Sequence, residues 1–471
     1  MTSALRPARS AAGQRIAVIG AGWAGLAAAV RAVQAGAEVS VFEMAGQLGG
    51  RARQVRTRSG DFDNGQHILI GAYSHTLSLM RSVGADPESL LWRQPLVLAA
   101  PDGRGLRLPP GAPVPAFVRA VLTAQGWSWR DRLALLRAAA RWRLQGFRCA
   151  AGQTVHELCA GLPQAVHRDL IDPLCVAALN TPSHAASAQV FIRVLQDALF
   201  AGPGSADLLL PRVPLSTLLP EPASHWLAAK GTRCLTGHRV QSLVRVGTAW
   251  QVDGQTFDAV VLACSATEAA RLAGPINPTW ATAAQRLQYQ AIVTVYLEDH
   301  SLRLPHPMLA LREGPEAPAQ FVFDLGALGG AGVPTRWPQC APSCAPAGAN
   351  TSTPPNRHPA GQFAWVVSGA QAWLTDSLEA CGRAVLQQAR STFAGAFQGP
   401  DVQVLRHLSA ERRATFACTP ALVRPTMQIA QRLLAAGDYI AGPYPATLEG
   451  AVRSGDAAAQ AVLAALSRQQ G

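Results

Sequence analysis

The sequence predicts an α/β protein built around a parallel sheet, and two patterns carry this prediction. Residues 16–19 form an apolar run of β type, a small-residue helix follows over about 24–35, and residues 39–42 form a second strand. A strand, a crossover helix and a second strand in so short a segment are typical of a βαβ unit with parallel strands. Residues 231–262 return to the strand pattern, so we expect them to complete the same sheet.

A glycine motif lies between the first strand and the first helix. Gly20, Gly22 and Gly25 match G-x-G-x-x-G. The first allows a tight turn, the second lets the backbone approach a pyrophosphate, and the third lets the helix pack on the strand. Glu43 ends the second strand, close to the ~20-residue spacing expected for an acid on a ribose hydroxyl, and its charge disfavours NADP. The residues assigned to this dinucleotide site are Gly20, Gly22, Trp23, Ala24, Gly25 and Glu43.

Length and composition limit how many domains the chain can form and which classes of partner it can bind. A chain of 471 residues with 49% hydrophobic and 15% charged residues can bury a large core in two or more domains. The formal net charge is +12, and Lys230 is the only lysine, so nearly all of the positive charge is arginine. Both a GC-rich genome and attraction to anionic membranes or phosphates explain this excess. Nucleic-acid binding is not expected, since no recognised motif accompanies the charge.

Cysteine spacing and the ends of the chain indicate the compartment. The nine cysteines include no C-x-x-C pair, so neither a metal site nor a disulfide framework is expected, and reduced thiols fit a cytoplasmic protein. Residues 1–14 are polar and basic, which favours a disordered tail over a signal peptide. No run reaches the ~18 apolar residues of a transmembrane helix. We therefore expect a cytoplasmic location, with peripheral contact at the inner membrane as the open alternative.

Composition divides the chain into two interleaved domains and one insertion. The predicted substrate domain is richer in tryptophan, proline and arginine, and its first part has a mostly helical pattern. One stretch within it is dense in Pro, Ala, Gly, Ser and Thr and cannot bury enough apolar surface to order itself. The predicted boundaries are 15–85, 206–270 and 425–471 for the dinucleotide domain, 86–205 and 271–424 for the substrate domain, and 329–361 for the loop insertion.

A third glycine-containing segment precedes a C-terminal helix. Gly437 and Asp438 lie in a loop, and Thr447 is a plausible N-cap of the helix that follows. The amides of Gly450 and Ala451 are then expected to be free at the first turn. A helix N-terminus aimed at an electron-rich ring would stabilise negative charge. An ordinary terminal helix packed on the first sheet is the alternative.

Together these segments resemble the flavin-dependent amine oxidase and phytoene desaturase superfamily. This resemblance implies a Rossmann-type FAD-binding domain of the amine-oxidase (GR2) kind, with an inserted mixed α+β substrate domain. It implies that Gly49-Gly50-Arg51 contacts the FAD diphosphate, that the backbone of Val240 holds the adenine, and that Asp438 binds the ribityl or phosphate region. The C-terminal residues assigned with them are Gly437, Thr447, Leu448, Glu449, Gly450 and Ala451.

Three further segments are similar to the squalene-associated FAD-dependent desaturases, the hydroxysqualene dehydroxylases of bacterial squalene and hopanoid synthesis. The matching segments are residues 63–73, 178–182 and 209–215, and the resemblance covers about 15–325 and 362–466. The reaction that it implies removes the hydroxyl of hydroxysqualene to give squalene. An allylic C–O bond ionises, and reduced flavin N5 delivers a hydride to the cation. Such chemistry needs a proton donor near the leaving oxygen and a dry pocket.

Candidate catalytic residues follow from the first of those segments. His67 is the leading candidate for the acid or the orienting group, although Gly65, Gln66 and His67 would equally shape the flavin pocket. Asp63 is a second candidate that would pair with His67 or with Arg51. Other polar candidates are Asn180, Tyr73 and Arg212.

The implied substrate is a C30 isoprenoid lipid, so membrane contact and squalene-pathway enzymes are the expected partners. Residues 114–147 combine aromatic and arginine side chains, which is typical of an interfacial helix and also of an ordinary cap helix. Three alternatives stay open. A carotenoid-type desaturase would move hydride from substrate to FAD. An amine oxidase would need a lysine near the flavin, and Lys230 is poorly placed. A non-catalytic FAD-binding scaffold would show no turnover.

Overall fold

The computed structural model describes residues 13–329, 361–394 and 404–468. The predicted tail at 1–14 and the predicted insertion at 329–361 lie almost entirely outside these residues. The strands are β1 (Arg15–Ile19), β2 (Glu38–Phe42), β3 (Gln54–Thr57), β4 (Gly60–Asp63), β5 (Leu69–Ile70), β6 (Leu91–Gln94), β7 (Val97–Ala99), β8 (Gly105–Arg107), β9 (Leu208–Pro211), β10 (Arg233–Leu235), β11 (Leu243–Val246), β12 (Ala249–Val252), β13 (Gln255–Phe257), β14 (Ala259–Leu262), β15 (Tyr289–Glu298), β16 (Met308–Ala310), β17 (Phe321–Asp324), β18 (Gln362–Ser368), β19 (Val404–Phe416), β20 (Gln428–Ala430) and β21 (Leu433–Ala435).

Helices connect and cover these strands. They are α1 (Trp23–Gln34), α2 (Ser74–Ser82), α3 (Pro87–Leu90), α4 (Pro113–Thr123), α5 (Trp129–Leu144), α6 (Val155–Leu158), α7 (Gln164–Val166), a π-helix (His167–Ile171), α8 (Asp172–Leu179), α9 (Ala188–Phe200), α10 (Leu215–Leu218), α11 (Pro220–Ala229), α12 (Ala266–Ala273), α13 (Pro278–Gln285), α14 (Leu325–Leu328), α15 (Gln371–Asp376), α16 (Leu378–Thr392) and α17 (Leu448–Ser467).

The first sheet has six strands in the order β10-β2-β1-β14-β21-β20, and every neighbouring pair except β21 and β20 is parallel. β1 and β14 are apolar and buried, as expected for strands covered on both faces. The predicted α/β class is therefore confirmed. The strands of this sheet come from three distant parts of the chain, each within a segment predicted for the dinucleotide domain. One pairing crosses a predicted boundary, since β6 pairs with β9.

Two long helices cover one face of this sheet and pack tightly on each other. Where α1 crosses α17, a Cβ on Gly455 would lie 2.0 Å from the carbonyl oxygen of Ala24, so the crossing needs a glycine. This close approach fixes the position of the α17 N-terminus relative to the β1–α1 turn.

The second large sheet is antiparallel, with the order β16-β17-β18-β15-β19. Side chains of β15 alternate between its faces. Val293, Val295 and Leu297 pack with α16, while Tyr296 joins the cluster on the other face. The helices α4, α5, α8 and α9 lie on that second side, and the antiparallel sheet with these helices makes the mixed α+β region. Among the described residues, no helix has the length and apolar character needed to cross a bilayer.

Candidate functional site

A cavity of about 910 Å³ lies between the parallel sheet, the antiparallel sheet and the helices α4, α5, α8 and α9. One end is polar and lies at the carboxyl ends of β1, β2, β14 and β21, where ligands bind in open α/β sheets. The other end is apolar. Its wall includes Leu98, Phe117, Leu135, Trp142, Phe321 and Phe323.

In the β1–α1 turn, close backbone contacts require glycine at two positions, whereas the third glycine has free space around it. A Cβ on Gly20, whose φ is +103°, would lie 2.6 Å from the carbonyl oxygen of Ala263, and one on Gly25 would lie 1.9 Å from that of Gly20. Around Gly22 the nearest atom is the Cα of Gly50, at 3.7 Å. The turn therefore leaves space at Gly22, in front of the α1 amides, where an anionic group would bind.

Glu43 is held at the edge of the same space. One carboxylate oxygen accepts a hydrogen bond from the Ala21 N–H at 2.7 Å, and the other accepts from the Ala45 N–H at 2.8 Å. The side chain is largely buried yet lines the cavity. Its predicted position beside a ribose is compatible with this geometry, because each oxygen retains a second lone pair.

Arg51 and Asp438, which the sequence separates by most of the chain, meet at the middle of the cavity. The Arg51 Nη2 donates to Asp438 Oδ1 at 2.6 Å, and its Nη1 donates to the Ala414 carbonyl at 2.6 Å. Burial alone would lower the pKa of Arg51, but Asp438 raises it, so the guanidinium keeps its charge. The side chain is still 40% accessible because it faces the cavity. It can therefore offer positive charge to a bound anion.

Most of the remaining predicted cofactor residues also face the cavity. Trp23 donates from Nε1 to the Ala52 carbonyl at 3.1 Å, and the Val240 carbonyl accepts from Arg271 at 2.5 Å. Other predicted residues that line the cavity are Gly20, Gly22, Ala24, Gly49, Gly50, Gly65, Gln66, Gly437, Thr447, Leu448 and Ala451.

The start of α17 confirms one prediction and corrects another. Thr447 is the N-cap, and its hydroxyl accepts from the Gly450 N–H at 2.9 Å. The Ala451 N–H donates to the Thr447 carbonyl. The expectation that the Gly450 and Ala451 amides are free is therefore wrong, since the cap and the first helical bond occupy them. Within the described residues, the free first-turn amides are those of Leu448 and Glu449.

Glu449 and Gly450 do not line the cavity, which corrects their assignment to the cofactor. Glu449 is completely buried and accepts from Thr76 N–H at 2.9 Å, Thr76 Oγ1 at 2.7 Å and Arg453 Nε at 2.7 Å. A Cβ on Gly450 would lie 2.0 Å from the Tyr444 carbonyl oxygen. Helix periodicity explains the difference, because residues 447, 448 and 451 face the cavity, while Glu449 points towards α2 and Gly450 packs on the Tyr444 carbonyl.

Asp63 is also placed differently from the prediction. Its carboxylate is 6% exposed and does not line the cavity, and Oδ1 accepts from the Leu215 N–H at 3.0 Å. It pairs with neither His67 nor Arg51. Burial raises its pKa to about 7, and the hydrogen bond from Leu215 offsets only part of that effect. Asp63 is a support behind the cavity wall and cannot reach a reacting group there.

This burial gives a testable pH dependence. The native pKa is above the unfolded value, so the protonated form stabilises the fold below pH 4 and that contribution is lost as the pH rises to about 7. Asp63→Asn keeps an acceptor for Leu215 without a charge. The full pKa shift corresponds to roughly 4 kcal/mol, and relaxation of the protein around the charged group reduces this cost. We therefore expect Asp63→Asn to raise the free energy of unfolding by about 2 kcal/mol at pH 8 and to change it little at pH 4.

Urea unfolding of the two proteins at pH 4 and pH 8 measures this difference. Asp61→Asn, on the same strand, is the control: it removes a partly exposed carboxylate paired with the exposed Arg56, and at pH 8 it should change stability by less than about 1 kcal/mol. An Asp63→Asn variant that is less stable at pH 8 than the natural protein would contradict the assignment.

His67 lies between β4 and β5 and faces the cavity. Its Nδ1 lies 3.1 Å from the Gly65 carbonyl, so Nδ1 carries the proton and Nε2 is left as an acceptor. Burial lowers its pKa, and the charge of Arg51 lowers it further. The imidazole is therefore neutral at pH 7, which suits an orienting acceptor better than a proton donor.

Some of the other polar candidates line the cavity and others lie outside it. Asn180 lines the cavity, but its Oδ1 accepts from the Gly369 N–H at 2.8 Å and its Nδ2 donates to Thr415 Oγ1 at 2.9 Å. Its amide therefore joins α8 to the antiparallel sheet. Tyr73 lines the cavity, and burial raises its pKa, so its phenol stays protonated. Arg212 lies outside the lining, where it donates to the Leu328 carbonyl. Lys230 ends α11 beside Trp226, also outside it.

Sequence reasoning missed the polar face of β19. Ser409 donates to Asn64 Oδ1 at 3.2 Å, and Glu411 accepts from Asn64 Nδ2 at 3.1 Å. Asn64 also donates to the Arg51 carbonyl at 3.1 Å, so this strand is tied to the Gly-Gly-Arg segment. Polar residues recur at every second position of β19 from 407 to 415, although Arg406 and Arg412 interrupt the alternation, and this pattern could have indicated the face. The residues of this set that line the cavity are Ser409, Glu411, Arg413 and Thr415.

The residues present fit FAD. Gly22 leaves room before the α1 amides, Arg51 offers a charge at the middle of the cavity, and the Leu448 amide is free near a wall that Tyr73 also lines. An elongated group with an anionic centre and a flat ring would meet donors along its whole length. When bound, such a ring would border the apolar end of the cavity.

Comparison with known proteins agrees with this geometry. The family model of flavin containing amine oxidoreductases matches residues 23–463. The chain is 30% identical to hydroxysqualene dehydroxylase of Rhodopseudomonas palustris, over 95% of this chain and 98% of that protein. It is 27% identical to the protein of that name in Sinorhizobium fredii, over 96% and 98%. The fold matches cyclohexylamine oxidase from Brevibacterium oxydans with a TM-score of 0.66, over 97% and 100% of the chains at 17% identity.

The resemblance stated from the sequence is thereby confirmed, and with it the expectation of FAD. The chain belongs to the family of flavin containing amine oxidoreductases and is an FAD-dependent oxidoreductase.

Proposed function

We propose that this enzyme reduces hydroxysqualene to squalene, in squalene and hopanoid biosynthesis. The observation that supports the proposal most strongly is the single cavity in which the FAD-binding residues continue into an apolar chamber. A C30 hydrocarbon with one hydroxyl needs such a chamber, and a small amine does not. Two full-length relatives named hydroxysqualene dehydroxylase support the same substrate.

Reduced FAD, when bound, supplies the electron pair and the hydrogen that replace the hydroxyl. The chain itself has to bind the lipid, exclude water and hold the leaving oxygen. Apolar side chains from α4, α5, α9, β16 and β17 would perform the first two tasks. The rings of Phe117, Phe321 and Phe323 would also present π-faces to a developing cation.

His67 would hold the substrate hydroxyl. The neutral ring has Nε2 free as an acceptor, so the hydroxyl proton would point at it and the oxygen lone pairs would point away. Phenols that line the same cavity, those of Tyr73 and Tyr289, would donate to those lone pairs. Burial raises the pKa of Tyr73 and of Tyr289, so both keep their protons at neutral pH. Orientation of the C–O bond in this way would favour its ionisation.

The proposed substrate also bears on the location of the enzyme. Squalene and its hydroxylated precursor dissolve in lipid, so we infer peripheral membrane contact and transfer of substrate from the enzymes that make it.

Anaerobic mixing tests the direction of the reaction. Reduced enzyme mixed with hydroxysqualene should regain the absorbance of oxidised flavin and yield squalene. Oxidised enzyme mixed with phytoene should show no bleaching. Bleaching by phytoene, with no response to hydroxysqualene, would reassign the protein to the carotenoid desaturases, and turnover of either lipid would exclude a scaffold.

His67→Ala should slow this reoxidation by about 100-fold, the loss expected when a reacting group is no longer held in position. The flavin content should stay unchanged, because Arg51 and the α1 turn are intact. His67→Gln, which keeps an acceptor, should recover part of the rate. Equal rates in all three proteins would remove His67 from the mechanism.

A further inference from the structure

The outer faces of α4 and α5 are unusually apolar. On α5, Trp129 is 64% exposed, Leu133 44% and Leu144 88%. Positions spaced by 4 and 11 residues lie on one side of a helix, so the three side chains form a stripe along α5. On α4, Val118 and Leu122 are 37% and 39% exposed and are one turn apart.

The inner faces of the same helices belong to the cavity. Phe117 on α4 and Leu135 and Trp142 on α5 are buried and line its apolar end. Phe117, Trp127, Trp142 and Phe147 are therefore core residues. Of the five aromatic residues in 114–147, only Trp129 is exposed. The two helices form a wall one helix thick between the lipid chamber and the outer surface.

The charges beside the apolar stripe indicate which kind of partner this outer surface would bind. Exposed arginines flank the apolar stripe at positions 119, 130, 137, 141 and 143. The one acidic residue in the segment 113–144 is Asp131, and its carboxylate accepts from the Ser128 N–H at 2.7 Å and from Ser128 Oγ at 2.8 Å in the capping box of α5. The surface is therefore strongly cationic and apolar together. This combination matches anionic phospholipid headgroups over acyl chains, and it does not match a neutral bilayer.

We propose that the outer faces of α4 and α5 dock on an anionic bilayer, with Trp129, Leu133 and Leu144 inserted and the arginines on the headgroups. The proposal rests on the proposed function in one respect: a lipid substrate gives the docking its purpose. Docking here would bring the apolar end of the cavity to within one helix of the membrane.

Co-sedimentation with vesicles tests this surface without using activity. The FAD-loaded protein should bind vesicles of phosphatidylcholine mixed with phosphatidylglycerol, and should bind pure phosphatidylcholine at least about tenfold more weakly. Binding should weaken as salt rises. Leu133→Ser with Leu144→Ser, and Arg137→Gln with Arg141→Gln, should each reduce binding about tenfold or more, since each pair removes one of the two attractive contributions.

Two matched control variants carry the same changes elsewhere. Val244→Ser with Val246→Ser alters exposed apolar residues on β11, and Arg58→Gln with Arg383→Gln removes two exposed arginines outside the surface. Neither pair should change binding. Equal binding to both kinds of vesicle, or an equal loss in the controls, would overturn the proposal.

Turnover of hydroxysqualene in detergent separates this inference from the proposed function. All four double variants should keep full activity there, because none of the changed residues lines the cavity. Vesicle binding without turnover would support the docking surface and refute the proposed function. Turnover without vesicle binding would support the proposed function and refute the docking surface.

Discussion

Gly22→Ala should produce a folded protein that binds FAD about a hundredfold more weakly. The backbone at Gly22 has φ −71°, which any residue adopts, and the nearest atom to a new Cβ is 3.7 Å away. The methyl group would occupy the space in front of the α1 amides. A diphosphate held off those amides loses hydrogen bonds to a charged group, worth about 1.5–3 kcal/mol. Titration of the apoprotein with FAD measures the change.

Gly46→Ala is the control for this variant. Gly46 is exposed, with nothing within 4 Å of a new Cβ, and it is not part of the cavity lining. It should bind FAD like the natural protein. A Gly22→Ala protein that purifies with a full complement of flavin would show that the diphosphate lies elsewhere.

Glu449→Ala should destabilise the fold by about 3–5 kcal/mol, the cost of leaving a buried charge and its donors without a partner. The Glu449 carboxylate accepts hydrogen bonds from the His75 and Thr76 N–H groups in the first turn of α2. It also accepts from Thr76 Oγ1 and from Arg453. The buried Thr76 hydroxyl and amide would lose their acceptor where water cannot replace it, while Arg453, which is 28% accessible, would lose its ion pair. Urea unfolding in excess FAD measures the loss.

Two comparisons sharpen that result. Glu449→Gln keeps an acceptor and should cost less than half as much. Glu38→Ala, which removes an exposed carboxylate from β2, should change stability little. If Glu449→Ala abolished FAD binding while leaving the unfolding midpoint unchanged, the assignment of Glu449 to the cofactor would be restored and the structural role withdrawn.

The local motifs of this chain could be read from its sequence because each needs only neighbouring residues. The β1–α1 turn depends on glycines within a few positions, and the cap at Thr447 depends on one helical turn. Both were predicted correctly. The class of the first sheet followed from the same local patterns.

Errors arose where the direction of a side chain depends on distant packing. Glu449 and Leu448 are adjacent, yet one faces α2 and the other the cavity, because the crossing of α1 and α17 sets the rotation of the helix. The expected pairing of Asp63 with His67 or Arg51 is absent, because the fold directs this carboxylate to the Leu215 amide. The partner of Arg51 is Asp438, which reaches it only once β21 joins the sheet.

A single anaerobic turnover tests the central claim most directly. Enzyme carrying reduced FAD is mixed with an excess of hydroxysqualene, and squalene and oxidised flavin are counted in the same sample. We predict one molecule of squalene for each flavin oxidised. Flavin that stays reduced while the lipid remains unchanged, or a protein that takes up no FAD at all, would contradict the account.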